Sequence, residues 1–149
     1  HPAISQQTYH MTFSDTHYEE EICAARTFGF LKDVETMQAR GLALGGSLQN
    51  AIVLNEKKII NKEGLRCPNE FVKHKILDAI GDLSLLGMPI IGHFIAYKSG
   101  HRLNNQLLQE VLARPQSWSL VHQYQRQDQT NAARPLNVPI FRVLDTVSA

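Results

Sequence analysis

The chain has 149 residues, of which 43% are hydrophobic and 19% are charged, and its formal net charge is +1. This length suits one compact domain, and the balanced charge excludes a disordered tail or a polyanion-binding surface, so we expect no nucleic acid partner. The two cysteines are few and lack C-x-x-C spacing, which indicates buried thiols in a reducing compartment. We expect a cytoplasmic protein. No apolar run approaches the roughly 20 residues of a transmembrane segment, and the N-terminus has no signal-peptide pattern.

The N-terminal part of the chain predicts a strand followed by a helix. Residues 8–13 alternate between polar and apolar side chains, which favours a strand. Ser14 then stands where it can cap a helix over residues 15–25.

The next segment predicts a small βαβ unit. Residues 27–30 are short, aromatic and β-prone, residues 31–40 have apolar side chains at helical spacing, and residues 51–54 form an apolar run. A strand, a helix and a strand in this order indicate parallel pairing. We therefore expect an inserted βαβ unit at about residues 27–55.

The rest of the chain predicts two main helices, short strands and a tail. In chain order these are a helix over residues 69–86, a strand over 90–98, a helix over 102–113 and a strand over 118–125. Residues 126–149 are predicted to be a polar linker and C-terminal tail, with residues 138–143 as an edge strand or attached tail. The predicted fold class is α+β, a two-layer sandwich of a mixed sheet packed on two main helices, with residues 1–125 as one domain.

The long helix has a polar stripe. His74, Asp78 and Asp82 recur at intervals of four, so they lie along one side of the helix. A His and an Asp four residues apart are well placed to hold Zn²⁺ together. The alternative is an ordinary charge pair on a helix surface. Because most of this helix is apolar, we expect the stripe to be buried and its ionisable groups to be paired or bound to metal.

His101 is the second histidine of interest. It follows Gly100 at a strand-to-helix turn, where a side chain projects from the end of a sheet. Asp82 is placed to orient its ring, as carboxylates commonly do beside catalytic histidines. The alternative is that His101 only caps its helix.

Several runs of residues match one known family in order and spacing. They are Ala-Arg-Thr-Phe-Gly-Phe at 25–30, Gly-Leu-Ala-Leu-Gly-Gly-Ser at 41–47, the helical segment 71–83, and Lys-Ser-Gly-His at 98–101 followed by Leu-Asn-Asn at 103–105. From about residue 1 to residue 112 the chain resembles the second domain of UDP-3-O-acyl-N-acetylglucosamine deacetylase, the zinc enzyme of lipid A biosynthesis. The resemblance implies hydrolysis of the N-acetyl group of UDP-3-O-(3-hydroxyacyl)-N-acetylglucosamine.

The resemblance also implies roles for the polar residues. His74 and Asp78 would be two of the zinc ligands. His101 would protonate the leaving amine while Asp82 holds its ring, and the Thr27 hydroxyl would stabilise the oxyanion.

Substrate contacts are implied in the same way. Phe28 and Lys75 would line the nucleotide side, and Asp33 and Gly100 would also contact the substrate. A passage for the acyl chain would be lined by Leu31, Val34, Gly46, Ser47, Ala51 and Val53. The alternative for these six residues is that they form the core of the insertion.

Part of the family's site has no counterpart in this chain. Its third zinc ligand and its general base are an adjacent histidine and glutamate in the first domain, and this chain contains no Glu-His dipeptide. We therefore expect the chain to be a fragment that needs the N-terminal domain of the same enzyme as its partner and is inactive alone. Two further hypotheses remain: a non-catalytic module of the same fold that binds a nucleotide-sugar, an acyl chain or a protein, and a histidine-carboxylate hydrolase without metal.

Overall fold

In the computed structural model, which describes residues 1–122 and 139–143, helices and strands alternate along the chain. This confirms the predicted α+β class. Two compact units are present, His1–Asp78 and Ala79–Ala149, and their boundary falls within the longest helix. The assignment of residues 1–125 to one catalytic domain stays a prediction.

The N-terminal strand was predicted wrongly. Residues 5–14 form neither helix nor strand. Instead, the Gln7 side chain accepts a hydrogen bond from the backbone N–H of Val72 at 3.1 Å and donates one to the carbonyl of Pro68 at 3.4 Å. Alternating polar and apolar side chains are compatible with a strand, but a strand also needs a neighbouring strand for its backbone hydrogen bonds. This segment instead contacts the start of a helix through Gln7.

The first helical segment begins as predicted. Helix α1 comprises Asp15–His17 and continues into a π-helical turn, Tyr18–Ile22. The Ser14 hydroxyl accepts a hydrogen bond from the His17 N–H at 3.2 Å, which confirms the cap. The helical segment ends at Ile22, three residues before the predicted end, and Ile22 is completely buried.

The βαβ unit is confirmed. Strand β1 is Thr27–Phe30, helix α2 is Leu31–Ala39, and strand β2 is Ala51–Leu54. The strands pair in parallel with Thr27 opposite Ala51 and Phe30 opposite Leu54. Ile52 and Leu54 are fully buried and pack with Phe71, whereas Ala51 and Val53 are only partly buried. Because side chains alternate along a strand, Ala51 and Val53 lie on the face of β2 opposite this core.

A buried asparagine fixes the loop that leads into β2. The side chain of Asn61 is 5% exposed. Its Oδ1 accepts from the N–H of Val53 at 2.8 Å, and its Nδ2 donates to the carbonyls of Leu48 at 2.8 Å and Ala51 at 2.9 Å. The amide thus satisfies backbone groups on both sides of the strand start.

Two long helices follow. Helix α3 comprises Glu70–Leu83 and is extended by a 3₁₀ turn, Ser84–Leu86. Gly87 ends it with φ +73°, a left-handed conformation that glycine adopts easily. Helix α4 comprises His101–Ala113. Both helices agree with the predicted ranges to within a residue or so.

The second unit contains a mixed three-stranded sheet. Its strands are β3 (Ile90–Ile91), β4 (Trp118–His122) and β5 (Pro139–Val143), in the order β3-β5-β4. Strand β5 is parallel to β3 and antiparallel to β4.

Two strand predictions need correction. The strand predicted over residues 90–98 is limited to Ile90–Ile91, because only these two residues have a partner strand. Residues 139–143 form the middle strand of the sheet, so their prediction as an edge strand or tail was wrong. The remainder of the predicted linker and tail, and the end of the strand predicted over 118–125, lie outside the described residues.

Both cysteines are free thiols, as predicted, but neither is fully buried. Cys23 is exposed, and its thiol donates to the carbonyl of Glu19 at 3.0 Å, whereas Cys67 is half-buried. The prediction of buried thiols was therefore wrong. Within residues 1–122 and 139–143, no helix combines the length and the apolar character needed to cross a bilayer.

Candidate active-site residues

The two predicted zinc ligands contact each other on α3. Nε2 of His74 lies 3.2 Å from Oδ1 of Asp78, one helical turn away. Their side chains are only 13% and 15% exposed. The pair is therefore half-buried, unlike an ordinary charge pair on a helix surface.

The other side of the His74 ring is held by the backbone. Nδ1 lies 3.3 Å from the carbonyl oxygen of Ala25. Since a carbonyl can only accept, Nδ1 carries the hydrogen in this contact and Nε2 is directed to Asp78. Metal-binding histidines commonly donate their second N–H in this way, which fixes the ring orientation.

The spacing of the two donor atoms fits a zinc site. In a tetrahedral site with ligand distances of about 2.0–2.2 Å, two donor atoms lie about 3.3–3.6 Å apart. The distance of 3.2 Å between His74 and Asp78 is close to the lower end of this range. Among the residues that the structure describes, no group of three His, Cys, Asp or Glu side chains is positioned to hold a metal. The pair therefore fits part of a zinc site that needs at least one more ligand.

Phe28 and Lys75 lie beside this pair. The Nζ atom of Lys75 is 3.9 Å from Oδ2 of Asp78 and 5.7 Å from the centre of the Phe28 ring. The Phe28 ring is also 6.1 Å from the His74 ring, edge to face. Thr27 precedes Phe28 in β1 and is exposed. The first unit thus brings together four residues that the sequence predicted for the site: Phe28, His74, Lys75 and Asp78.

A second cluster lies in the second unit, at the start of α4. Nδ1 of His101 is 2.9 and 3.0 Å from the two carboxylate oxygens of Asp82, and the His101 side chain is 73% exposed. Gly100 is the N-cap residue, with extended backbone and a carbonyl that accepts from the N–H of Asn104 at 3.0 Å. The ring of His101 contacts Asp82, so the capping alternative does not describe it.

Asn104 completes this cluster and was missed by sequence reasoning. It is 2% exposed, and its Nδ2 donates to Oδ2 of Asp82 at 2.8 Å. It stands three residues after His101, so both side chains lie on one face of α4. The sequence shows only its spacing of three residues from His101, whereas its burial and its contact with Asp82 are visible only in the structure.

The remaining predicted substrate residues are dispersed over α2, β2 and the loop between them. Asp33 is exposed in the first turn of α2. Leu31, Gly46 and Ser47 are exposed, and Val34, Ala51 and Val53 are half-buried. None of the six predicted passage residues belongs to the hydrophobic cluster around Ile52, Leu54 and Phe71, all of which the structure describes.

Comparison with known proteins shows the family. Residues 1–113 match the family of UDP-3-O-acyl N-acetylglycosamine deacetylase, LpxC. Since the match covers more than half of the chain, this protein belongs to that deacetylase family.

Individual relatives carry the same function in their names. The UDP-3-O-acyl-N-acetylglucosamine deacetylase of Syntrophus aciditrophicus is 69% identical over 119 residues, which are 80% of this chain and 38% of that protein. The enzyme of the same name from Wolinella succinogenes is 56% identical over 121 residues, 81% of this chain and 41% of its own length. That of Myxococcus xanthus is 54% identical over 121 residues, 81% of this chain and 38% of its own length. The chain therefore spans about two-fifths of the length of these relatives.

Proposed function

We propose that this chain supplies half of the active site of a zinc-dependent deacetylase. The enzyme would remove the N-acetyl group from UDP-3-O-(3-hydroxyacyl)-N-acetylglucosamine in lipid A biosynthesis, in the cytoplasm. The single observation that supports this most is the 3.2 Å contact of His74 with Asp78. The carbonyl of Ala25 orients the His74 ring in this contact. The membership of the deacetylase family supports the substrate class.

His74 and Asp78 would hold the metal through Nε2 and Oδ1. When bound, Zn²⁺ supplies a nucleophilic water at neutral pH and positive charge for the tetrahedral anion. The Nζ atom of Lys75 lies 3.9 Å from Oδ2 of Asp78, which leaves Oδ1 as the oxygen beside His74. The third ligand and the general base would come from the N-terminal domain of the same enzyme.

His101 would deliver the proton to the leaving amine. A carboxylate only accepts hydrogen bonds, so the contact with Asp82 uses the hydrogen on Nδ1. The donor is therefore the protonated ring, in which Nδ1–H binds Asp82 and Nε2–H carries the transferable proton, while Asp82 fixes the ring direction. The high exposure of the His101 side chain leaves that nitrogen open to substrate.

Thr27 and its neighbours would bind the reacting group and the nucleotide. The exposed hydroxyl of Thr27 would donate to the oxyanion that forms from the acetamide carbonyl. The Phe28 ring would stack on the uracil, and the Lys75 ammonium, which lies over this ring, would attract the diphosphate. Asp33 and Gly100 would make further substrate contacts.

The βαβ unit would hold the acyl chain. Ala51 and Val53 lie on the face of β2 opposite the buried Ile52 and Leu54. This placement supports a passage lined by Ala51 and Val53 rather than a role in the core of the insertion. An apolar passage suits an acyl chain because burying each CH₂ group is favourable by about 0.8 kcal/mol.

Zinc content and acetate release test the proposal in the full-length enzyme. We expect the parent to bind Zn²⁺ and to release acetate from UDP-3-O-acyl-N-acetylglucosamine, and we expect His74→Ala to lose both. His10→Ala is the control because His10 is exposed and is not among the proposed ligands.

Three outcomes would contradict parts of the proposal. Full zinc occupancy in His74→Ala would remove His74 from the ligand set. Acetate release by the metal-free enzyme would favour a histidine-carboxylate hydrolase. Substrate binding without acetate release would favour a non-catalytic binding module.

A further inference from the structure

A buried carboxylate lies at the start of α3, one turn before His74. Glu70 is fully buried, and Arg26, its partner, is 4% exposed. Oε1 of Glu70 accepts from the Arg26 backbone N–H at 3.1 Å and from Arg26 Nε at 2.9 Å. Oε2 accepts from Arg26 Nη2 at 3.1 Å and from the Arg66 backbone N–H at 2.6 Å. One carboxylate therefore receives four hydrogen bonds.

The guanidinium of Arg26 has further partners. Nη2 donates to the carbonyl of Gly64 at 2.8 Å, and Nη1 donates to Oε1 of Glu63 at 2.9 Å. An ion pair this deeply buried is weak evidence of stability by itself, because a well-packed apolar pair is often as stable. Fixing one register between two elements is a better-attested use of such a pair.

The elements that this pair joins are the segment 25–28 and the first turns of α3. Ala25 accepts from His74, Arg26 is held by Glu70, and the Phe28 ring packs edge to face on Phe71 at 5.0 Å. The hydrogen bonds between Glu70 and Arg26 are charge-assisted and therefore stronger than the other two contacts. They hold both the backbone N–H and the guanidinium of Arg26. A shift of the segment would move the Ala25 carbonyl away from Nδ1 of His74.

We propose that Arg26 and Glu70 are positioning residues for the zinc ligand His74. By holding the Arg26 backbone against α3, Glu70 keeps the Ala25 carbonyl at Nδ1 and so keeps Nε2 directed at the ligand position beside Asp78. The same contact sets the place of Thr27, the next residue in the chain. This inference rests on the proposed function, because it assigns a partner to a proposed metal ligand.

The test compares zinc affinity with stability in the full-length enzyme. For each variant, the Kd for Zn²⁺ is measured by competition with a chelator, and Tm is measured on the metal-free protein. We expect Glu70→Gln to raise the Kd by about 10- to 100-fold, the range found for partners of metal-binding histidines. The double variant Arg26→Met/Glu70→Leu removes both charges, so no buried charge is left unpaired, and we expect its Kd to stay raised. Because it also removes the acceptor of the Arg26 and Arg66 backbone N–H groups, we expect its Tm to stay below that of the parent.

Two further variants complete the design. Glu110→Gln is the matched control, because it removes the carboxylate of an exposed pair with Arg114 at 2.7 Å, and we expect the parental Kd. Arg26→Lys retains the charge but loses the fork of donors, so we expect a several-fold rise in Kd. If the double variant does not fold, the Kd of Arg26→Lys tests the positioning role in its place.

The outcomes separate this inference from the proposed function. A parent enzyme that binds no zinc overturns both. A parent that binds zinc, together with Glu70→Gln and Arg26→Lys at the parental Kd, overturns the positioning role alone. A double variant that recovers both Tm and Kd shows that the pair acts only on stability, and it also overturns the role.

Discussion

The amide of Asn104 donates a hydrogen bond of 2.8 Å to Asp82, the carboxylate that also accepts from Nδ1 of His101. Asn104 is buried whereas His101 is exposed. Asp82 therefore has a fixed support on one side and a solvent-facing imidazole on the other. The arrangement leaves the reactive ring accessible while its carboxylate partner is held in place.

Removal of the proposed proton donor tests this cluster first. We expect His101→Ala to lower the turnover of the full-length enzyme by about 10²- to 10⁴-fold, the usual contribution of a general acid. Zinc content should be unchanged, because His101 is not a proposed ligand. Turnover and zinc per protein are measured on the same sample. An unaffected rate would reject the assignment.

Removal of the Asn104 amide should have a smaller effect of the same kind. Asn104→Ala leaves Asp82 with less support, so we expect turnover to fall less than in His101→Ala, with zinc retained. Its unfolding free energy should fall by about 1–3 kcal/mol, because the half-buried carboxylate of Asp82 loses a hydrogen bond. Asn105→Ala is the control, since Asn105 is the exposed neighbour. Equal turnover in the two variants would exclude a positioning role for Asn104.

Acid unfolding should depend on Glu70. Burial alone would raise the pKa of Glu70, but the hydrogen bonds from the Arg26 side chain and from the Arg26 and Arg66 backbones outweigh it, so its pKa lies below 4.5. A carboxyl with a lowered pKa in the folded state stabilises the protein above its unfolded pKa, and this contribution is lost as the pH falls through the folded value.

Urea unfolding of the parent and of Glu70→Gln measures this contribution. We expect the variant to be less stable by about 3 kcal/mol at neutral pH, because the buried guanidinium of Arg26 then keeps the exposed Glu63 carboxylate as a counter-charge but loses the buried one. The difference should stay constant down to about pH 5 and shrink below it. A difference that persists unchanged into the acid transition would show that the carboxylate charge is not responsible.

The acyl passage is tested by filling it. Ala51→Phe adds a ring on the face of β2 opposite Ile52 and Leu54, so the core is not disturbed. We expect KM to rise for a substrate with a long acyl chain and to change little for one with a short chain. The two KM values are measured with the same preparation. A loss of folding, seen as a lowered Tm in the metal-free protein, would favour the alternative that Ala51 belongs to the core of the insertion.

Local sequence signals predicted much of the fold. Apolar periodicity identified α2, α3 and α4, and Ser14 identified the start of α1. The parallel pairing of β1 with β2 was also predicted, from their order around α2. The partners of the other strands were not predicted, because a strand is defined by its neighbour as much as by its own pattern. The pleat-like alternation of residues 8–13 produced no strand, whereas residues 139–143 became the centre of a sheet.

Two contacts of the candidate site were predicted: that of His74 with Asp78 from their spacing on one helix, and that of Asp82 with His101 from their residue types. His74 and Asp78 are four residues apart, so their contact follows from helix geometry. The supports of the site were missed because they depend on contacts between distant positions. Arg26 and Glu70 are 44 residues apart, and Asn104 and Asp82 are 22 apart, and no local pattern encodes such distances.

The contacts of the Asn61 side chain bear on how much the length of the loop before Leu48 can vary. It fastens the chain at Leu48, Ala51 and Val53, and therefore separates the stretch before Leu48 from the pairing of β1 with β2. We therefore expect residues added to or deleted from that stretch to leave the strand register intact. A change in the length of this loop would then not require the rest of the unit to refold.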